Sequence, residues 1–593
     1  MRTCLRIALL TIAAVLGFAS LPATFAANKP PGEAPSMQTL LGSYLAANMA
    51  RGDNDSDSAA AFYRKALALD PTSEVLLEQT FQAEAAEANW DRAVPLARKL
   101  VAKDPNHQMA HIVLGLDDFK KGNYAKAEKQ FAAANDGLIG ELTSALSRAW
   151  AALAAGDGDR ALKLLKKPNQ AEGARFYLDY HAALIADVAG KPKEAGAAFE
   201  RSFRQNSRML RTALAYARHA AVVKKPKLAE AILEGLNNRE QDEPHPLLDA
   251  LSKKIEAGEE VPLLVQTPQE GMAEVFYGLG ELLTNEGGVG MGILYLQMAL
   301  YLEPDNAFAL VSLANAFESA RRYDDAIAAY DRVPPGTPLQ AEIDIRKAFD
   351  LNSLDKVDEA KAILDKLAAQ KPESLKPLDA LGSIMRVRKR YGEAVEYYTR
   401  ALDLIKEPSK RHWSLFYSRG TCYERLKDWP PAEADLKKAL ELYPDQPMVL
   451  NYLGYSWIDQ NRNLQEGMDL IEKAVALKPD DGYIVDSLGW AHYKLGNFRE
   501  AVRFLERAVE LKPEDPVLND HLGDALWRVG REREARFQWD QALTLEPEPE
   551  DAEKIKAKLA DGLPATVQAQ VERDAAKPAV QRKETKLTPP RVE

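Results

Sequence analysis

The chain has 593 residues, of which 77 are Lys or Arg and 88 are Asp or Glu, so its formal net charge at pH 7 is −11. This acidic balance argues against nucleic acid as a partner, because phosphate recognition needs a concentrated basic face. Apolar residues make up 46% and Gly and Pro number only 34 each, which excludes collagen-like and low-complexity chains.

The first 26 residues have the pattern of a secretory signal peptide. Arg2 and Arg6 give a basic start, residues 7–21 form an apolar run, and Thr24 and Ala26 supply the small residues of a cleavage site. An uncleaved membrane anchor is the alternative, but the run is shorter than the roughly 20 residues that span a bilayer. We therefore expect an exported, periplasmic chain without a transmembrane span after cleavage. A peripheral association with the outer membrane stays open.

From residue 71 onward, prolines recur with a period close to 34 residues. Steps of 34 occur in three groups, and steps of 35 or 36 connect the second group to the third. A period of 34 residues is typical of arrays of helical hairpins. The prolines are Pro71, Pro105, Pro304, Pro338, Pro372, Pro408, Pro444, Pro479, Pro513 and Pro547.

The residues inside the period explain how such a unit packs. A Leu-Gly pair lies on the first predicted helix, another Gly follows seven residues later, and the second helix carries a small, a large and a small residue at i, i+4 and i+7. Small residues let two helices approach closely, and the large residue fills the space between them. The clearest units are Leu114-Gly115 with Gly122, Ala127, Phe131 and Ala134; Leu488-Gly489 with Gly496, Ala501, Leu505 and Ala508; and Leu522-Gly523 with Gly530, Ala535, Trp539 and Ala542.

This pattern resembles the tetratricopeptide repeat. The resemblance implies an all-α fold, an α-solenoid of about 14 helical hairpins in two blocks, superhelical with a concave groove. The predicted order along the chain is a signal peptide (1–26), a degenerate block of about six repeats (40–238), a joint with one short helix (239–271), a block of about eight repeats (272–547), a capping helix (548–562) and a disordered tail (563–593).

The repeats leave no segment long enough for a catalytic domain, so we predict a protein that is not an enzyme and has no catalytic residue, cofactor or metal site. His107 and His111 are four residues apart and could share a metal, but no third ligand is evident, which favours surface or packing roles. The glycine-rich run 287–292 lacks the Lys of a phosphate-binding loop and is interpreted as a turn. Cys422 is interpreted as a buried, unreactive thiol.

In the last four units, the first helices carry aromatic rings and carboxylates on a side other than the one that bears the Leu-Gly pair. In one unit a Tyr, an Asp, a Trp and a Tyr follow at spacings of 3, 4 and 3, which places them on one side of a helix. Stacked units align such positions into a binding surface, and Tyr and Trp dominate interfaces. We call the predicted partner-binding residues the aromatic–acidic stripe: Tyr417, Tyr455, Tyr483, Asp486, Trp490, Tyr493, Asp520, Asp524, Trp527 and Arg528.

Two interpretations of these rings stay open, because they can contact a partner or pack between adjacent first helices as core. The equivalent positions of an earlier unit, which include Glu274 and Tyr277, are more polar, so we expect binding to concentrate in residues 411–547. The acidic lining favours a peptide or loop with basic and apolar side chains.

Three segments, 451–467, 481–502 and 519–543, are similar to a large group of tetratricopeptide proteins of the proteobacterial cell envelope. Some members of that group are outer-membrane lipoproteins that act as adaptors for carboxyl-terminal processing proteases, so the resemblance implies an envelope protease or cell-wall enzymes as partners. This chain departs from those members, because no cysteine follows its apolar leader as a site for lipid attachment.

The sequence thus predicts a non-enzymatic scaffold or adaptor of the bacterial cell envelope, which binds partner peptides or loops in the groove of residues 411–547. The alternative is a carbohydrate-binding subunit of a polysaccharide or peptidoglycan assembly or turnover system, in which the rings would stack on sugars. A homo-oligomer is compatible with either function.

Overall fold

The computed structural model describes residues 39–52, 55–166, 172–236 and 245–563. Within these ranges every regular element is a helix, so the predicted all-α fold is confirmed. The predicted signal peptide and all but the first residue of the predicted disordered tail lie outside the described ranges. None of the described helices combines the length and the apolar character needed to cross a membrane.

Six helical hairpins precede residue 237. Their helices are α1 (Leu40–Gly52), α2 (Ser56–Leu69), α3 (Glu74–Ala86), α4 (Trp90–Lys103), α5 (Gln108–Lys120), α6 (Tyr124–Ala133), α7 (Gly137–Ala154), α8 (Gly158–Leu164), α9 (Glu172–Val188), α10 (Pro192–Gln205), α11 (Leu210–Val222) and α12 (Pro226–Leu236).

A single helix, α13 (Pro246–Glu256), lies in the segment predicted as the joint, and eight hairpins follow it. Together with the first six hairpins they account for the predicted 14. Their helices are α14 (Pro268–Asn285), α15 (Val289–Leu302), α16 (Ala307–Ser319), α17 (Tyr323–Asp331), α18 (Gln340–Ser353), α19 (Val357–Gln370), α20 (Lys376–Val387), α21 (Tyr391–Asp403), α22 (Trp413–Arg425), α23 (Trp429–Leu442), α24 (Pro447–Asp459), α25 (Leu464–Leu477), α26 (Gly482–Lys494), α27 (Phe498–Leu511), α28 (Pro516–Arg528) and α29 (Glu532–Thr544); a 3₁₀ turn (Lys410–His412) precedes α22, and α30 (Pro549–Asp561) follows α29.

The turns of the repeat follow from a few residues. Gly496 and Gly530 separate the helices of their hairpins with φ of 79° and 82°, a left-handed conformation that glycine adopts without a steric penalty. Between hairpins, the carboxylates of Asp481 and Asp515 each accept two backbone N–H groups at the start of the next first helix. The repeated Pro and Asp therefore stop one helix and start the next.

Internal contacts divide the chain into two units, and the boundary between Leu114 and Gly115 falls inside α5. In the first unit, Tyr63 and Phe81 are fully buried. The fully buried Glu84 carboxylate lies 2.6 Å from the Arg64 guanidinium, which compensates its charge.

In the second unit, helix α14 packs against α7 and α9, which are the first helices of two earlier hairpins. A Cβ placed on Gly271 of α14 would lie 2.2 Å from the ring of Trp150 on α7, so only glycine allows this approach. Glu274 of α14 accepts a hydrogen bond from Tyr180 of α9 at 2.7 Å and pairs with Arg211 of α11 at 2.6 Å. The surface that α7, α9 and α11 present is thus covered by the chain itself.

This packing corrects one expectation from the sequence. Glu274 and Tyr277, which were expected at the polar groove positions of their unit, are 2% and 4% exposed. Burial alone would raise the pKa of Glu274, but Arg211 lowers it below the ordinary value of a glutamate. The repeat period placed these residues on the correct side of α14, but it could not show that earlier helices cover that side.

Candidate functional site

The aromatic–acidic stripe lies on α22, α24, α26 and α28, the first helices of four consecutive hairpins. On α26, the opposite side packs into its own hairpin, as predicted, because a Cβ on Gly489 would meet Leu505 at 2.6 Å and His492 stacks on Phe504 with a centroid distance of 5.4 Å. Trp490 instead faces the next first helix, α28.

Trp490 is the centre of a stack of rings between α26 and α28. Its ring is nearly parallel to those of Tyr493 and His521, with centroid distances of 4.6 and 3.9 Å. The Tyr493 hydroxyl oxygen accepts a hydrogen bond from Arg528 Nε at 3.2 Å. Trp490 and Tyr493 therefore pack between adjacent first helices, but both rings remain half-buried rather than fully enclosed.

Asp486 is the carboxylate of this stack. It is 6% exposed, and both of its oxygens lie 3.0 Å from His521 Nδ1. Burial alone would lower the pKa of His521, but the contact with Asp486 raises it above the ordinary value for histidine. The proximity of Asp486 thus favours a protonated His521, which balances the charge of this carboxylate.

Asp520 and Asp524 are balanced by α30. The Lys558 ammonium lies 2.8 Å from both carboxylate oxygens of Asp520 and 2.9 Å from Oδ2 of Asp524, and Asp524 Oδ1 accepts a hydrogen bond from Trp539 Nε1 at 3.0 Å. Burial raises the pKa of Asp524 even though Lys558 opposes this effect. These two carboxylates hold the final helix in place, and they are not an open acidic lining.

Trp527 is also covered by the end of α30. A Cβ on Gly562 would lie 2.1 Å from the Trp527 ring, and Trp527 packs on Trp539 with a centroid distance of 5.4 Å. Asp520, Asp524 and Trp527 are therefore engaged by the helix that follows the last hairpin, whereas Arg528 contacts Tyr493 on α26.

The part of the stripe before α28 is more open. Tyr483 is 51% exposed, and Tyr417 and Tyr455 are half-buried. Tyr417 meets Tyr452 edge to face at 5.7 Å, and the Tyr452 hydroxyl donates to Glu424 at 3.0 Å, which links α22 to α24. Rings held in this way lose little conformational freedom when they contact a partner.

Sequence reasoning missed three residues that complete the site: His521, Lys558 and Tyr452. The signal for His521 was its position 35 residues after Asp486, one repeat length, which brings the two side chains together on adjacent first helices. Lys558 gave no comparable signal, because the repeat period does not extend into α30.

His107 and His111, for which surface or packing roles were predicted, both contact polar groups of the chain. His107 Nε2 lies 2.6 Å from a Glu78 oxygen, and His111 Nε2 lies 2.8 Å from the carbonyl oxygen of Pro105. Among the described residues, no three His, Cys, Asp or Glu side chains are placed to hold a metal ion. Burial raises the pKa of the Cys422 thiol to about 11, which makes its thiolate scarce at neutral pH.

Consecutive helical hairpins with rings on their first helices define an α-helical repeat protein that presents side-chain surfaces. Models of the tetratricopeptide repeat match residues 79–141, 293–341, 385–447, 417–482 and 485–515. The chain therefore carries tetratricopeptide repeats in these segments, and such repeats generally bind other proteins.

Two relatives and one solved structure illustrate the similarity. The chain is 31% identical over 183 residues to a TPR repeat-containing protein of Pseudomonas aeruginosa, across 30% of this chain and 29% of that protein. It is 28% identical over 180 residues to human tetratricopeptide repeat protein 13, across 29% of this chain and 20% of that protein. The crystal structure of the APC/C hetero-tetramer Cut9-Hcn1 aligns with 88% of this chain and 95% of that chain, at 14% identity and a TM-score of 0.37.

Proposed function

We propose that this protein is a non-enzymatic scaffold of the bacterial cell envelope that binds partner peptides or loops on the aromatic–acidic stripe of residues 411–547. The observation that carries the proposal is the row of Tyr and Trp rings on α22, α24 and α26, which remain half-buried or exposed although other first helices in this chain are covered. Such rings supply much contact area at small entropic cost.

The charge of the surface supports a partner segment with basic and apolar side chains. Asp486 and Asp524 are buried and compensated within the chain, whereas Glu424 and Asp459, on α22 and α24, pair with Lys427 at 3.8 Å and Lys494 at 3.2 Å on the more open part of the surface. Glu424 is 22% exposed and Asp459 is 54% exposed, so both carboxylates reach solvent. We propose that the partner lies along α22, α24 and α26, and that α28 with α30 closes the surface.

The test is a binding measurement with two series of short labelled peptides, one of Lys, Arg, Leu and Phe and one in which Asp and Glu replace the basic residues. The wild-type protein is expected to prefer the basic series. The double variant Tyr483→Ala, Trp490→Ala should bind at least about tenfold more weakly, because removing an anchor ring typically costs more than about 1 kcal/mol.

Phe537→Ala is the matched control, because Phe537 is a ring that is 66% exposed on α29, outside the stripe. Unchanged affinity in the double variant, with helicity retained, would show that the stripe is not the binding surface. Saccharide binding that the double variant loses, without peptide binding, would instead favour the carbohydrate-binding alternative.

We further propose that residues 1–26 direct export and are then removed. The support is the basic start followed by a short apolar run, a pattern that secretion machinery recognises. Expressed in a Gram-negative host, the chain should appear in the periplasmic fraction with an amino terminus that follows Ala26, as mass spectrometry of its first peptide can establish. Cytoplasmic protein that retains Met1 would contradict export, and an Arg2→Glu, Arg6→Glu variant is the control for the leader.

A further inference from the structure

Helix α1 carries a row of exposed apolar side chains. Leu41, Leu45 and Met49 are 66%, 52% and 70% exposed, and their spacing of four residues places them on one side of the helix. Across the described residues, no other helix exposes more than two large apolar side chains. An apolar row of this kind on a soluble domain marks a contact surface.

The row lies opposite the side of α1 that packs into the first unit. Ser43, Ala47 and Ala50 are the buried residues of α1, and they lie half a turn away from Leu41 and Leu45. Ala47 and Ala50 belong to the apolar cluster that α1 forms with Tyr63 of α2. The hairpin of α1 and α2 therefore uses one side of α1 for its own core, and none of the described residues covers the other side.

We propose that this row is a homodimerisation surface, on which α1 of a second copy packs about a twofold axis. The surface is self-complementary in charge, because Arg51 is the only charged residue of α1 and its guanidinium donates to Gln79 and Asn48 of the same chain. Two copies can therefore meet without like charges facing each other, whereas an acidic or basic partner would find no opposite charge.

A twofold axis near Leu45 accounts for the pattern of the row. Antiparallel packing about that axis would place Leu45 against Leu45 of the second copy and Leu41 against Met49. Gly42 and Ala46 at the edge of the row have small side chains, so the two helices can approach closely.

The area predicts the strength of this dimer. The three side chains of the row expose on the order of 350 Å² in each copy, so a dimer would bury about 700 Å², a value at the low end that is typical of weak contacts. The dimer should therefore be weak and should form and dissociate reversibly.

The test is sedimentation velocity of the full-length protein over a range of concentrations. The mass should rise from that of one chain, 65.6 kDa, toward twice that value as the concentration increases. Leu45→Glu would place two carboxylates at the twofold axis, so its dissociation constant should increase at least about 100-fold. Val75→Glu is the matched control, because Val75 is an apolar residue of α3 that is 60% exposed, and it should leave the association unchanged.

A cysteine cross-link provides a second measurement. In a Cys4→Ser background the remaining Cys422 is buried, so a Leu45→Cys variant should form covalent dimers on mild oxidation and a Val75→Cys variant should not. A monomer at all concentrations would overturn the proposal, and so would a dimer that survives Leu45→Glu and fails to cross-link through residue 45.

Discussion

At the scale of single residues, Asp350 on α18 is a buried carboxylate that its surroundings do not fully satisfy. It is 3% exposed, and its Oδ2 atom has no hydrogen-bond partner. Burial, together with the nearby carboxylate of Glu318, raises the pKa of Asp350 to about 7, although Arg346 opposes this effect. Unpaired buried charge destabilises a fold, so Asp350 should reduce the stability of its repeats at neutral pH.

Asp350→Asn should therefore stabilise the protein, with a dependence on pH that follows from the sign of the pKa change. The folded state holds the proton of Asp350 up to about pH 7, whereas an unfolded aspartate releases it near pH 4. Stability is thus lost as the pH rises between these values. The gain from Asp350→Asn should be close to zero at pH 4 and up to about 4 kcal/mol at pH 8, as measured by urea denaturation, since each pKa unit corresponds to about 1.4 kcal/mol.

The control for Asp350→Asn is Glu396→Gln, which removes one carboxylate from the exposed side of α21. An equal gain from Asp350→Asn at both pH values would mean that its carboxylate is not the source of the effect. A loss of stability in the Asp350→Asn variant at pH 8 would show that Asp350 makes a favourable contact in its charged form.

At the scale of helices and hairpins, the sequence predicted the packing within each hairpin and did so for a physical reason. In the structure, the glycine of each Leu-Gly pair contacts the large residue of the second helix. A Cβ built on Gly115 would lie 2.6 Å from Phe131, one on Gly489 would lie 2.6 Å from Leu505, and one on Gly523 would lie 2.5 Å from Trp539. Contacts within a hairpin join residues less than one period apart, so they recur with the repeat and can be read from it.

Contacts between hairpins were harder to predict. The stripe was placed correctly on the first helices, but the pairing of Asp486 with His521 and of Asp520 with Lys558 depends on which helix lies opposite and how each side chain is oriented. Residue spacing within one helix gives neither. The sequence therefore predicted rings and carboxylates on a shared surface, whereas the structure was needed to show which carboxylates are already paired.

At the scale of the whole molecule, the second unit has contacts that a linear array of repeats does not provide. In a simple solenoid each repeat touches only its neighbours, and stability is a sum of local terms. Here α14 packs on α7, more than 100 residues earlier, and Thr143 of α7 meets Tyr295 of α15 with their oxygens 3.2 Å apart. Sequence periodicity cannot reveal this contact, because the contact does not repeat.

This long-range contact predicts that residues 137–154 and 268–285 open together. Gly271→Ala would bring a methyl group within 2.2 Å of the Trp150 ring, which cannot move away easily because it is fully buried and donates to His181 at 3.0 Å. The substitution should cost about 1–3 kcal/mol, typical of overpacking. Hydrogen exchange measured by mass spectrometry should then become at least about fivefold faster in both α7 and α14.

Gly489→Ala is the matched control, because its methyl group would lie 2.6 Å from Leu505 within a single hairpin. It should accelerate exchange in α26 and α27 and leave α7 unchanged, since the disturbed contact joins neighbours in sequence. If Gly271→Ala accelerates exchange in α14 alone, the contact with α7 carries little of the stability of either helix. Faster exchange in α7 and α14 together would instead mean that these two helices belong to one cooperative unit, whereas the effect of Gly489→Ala stays within a single hairpin.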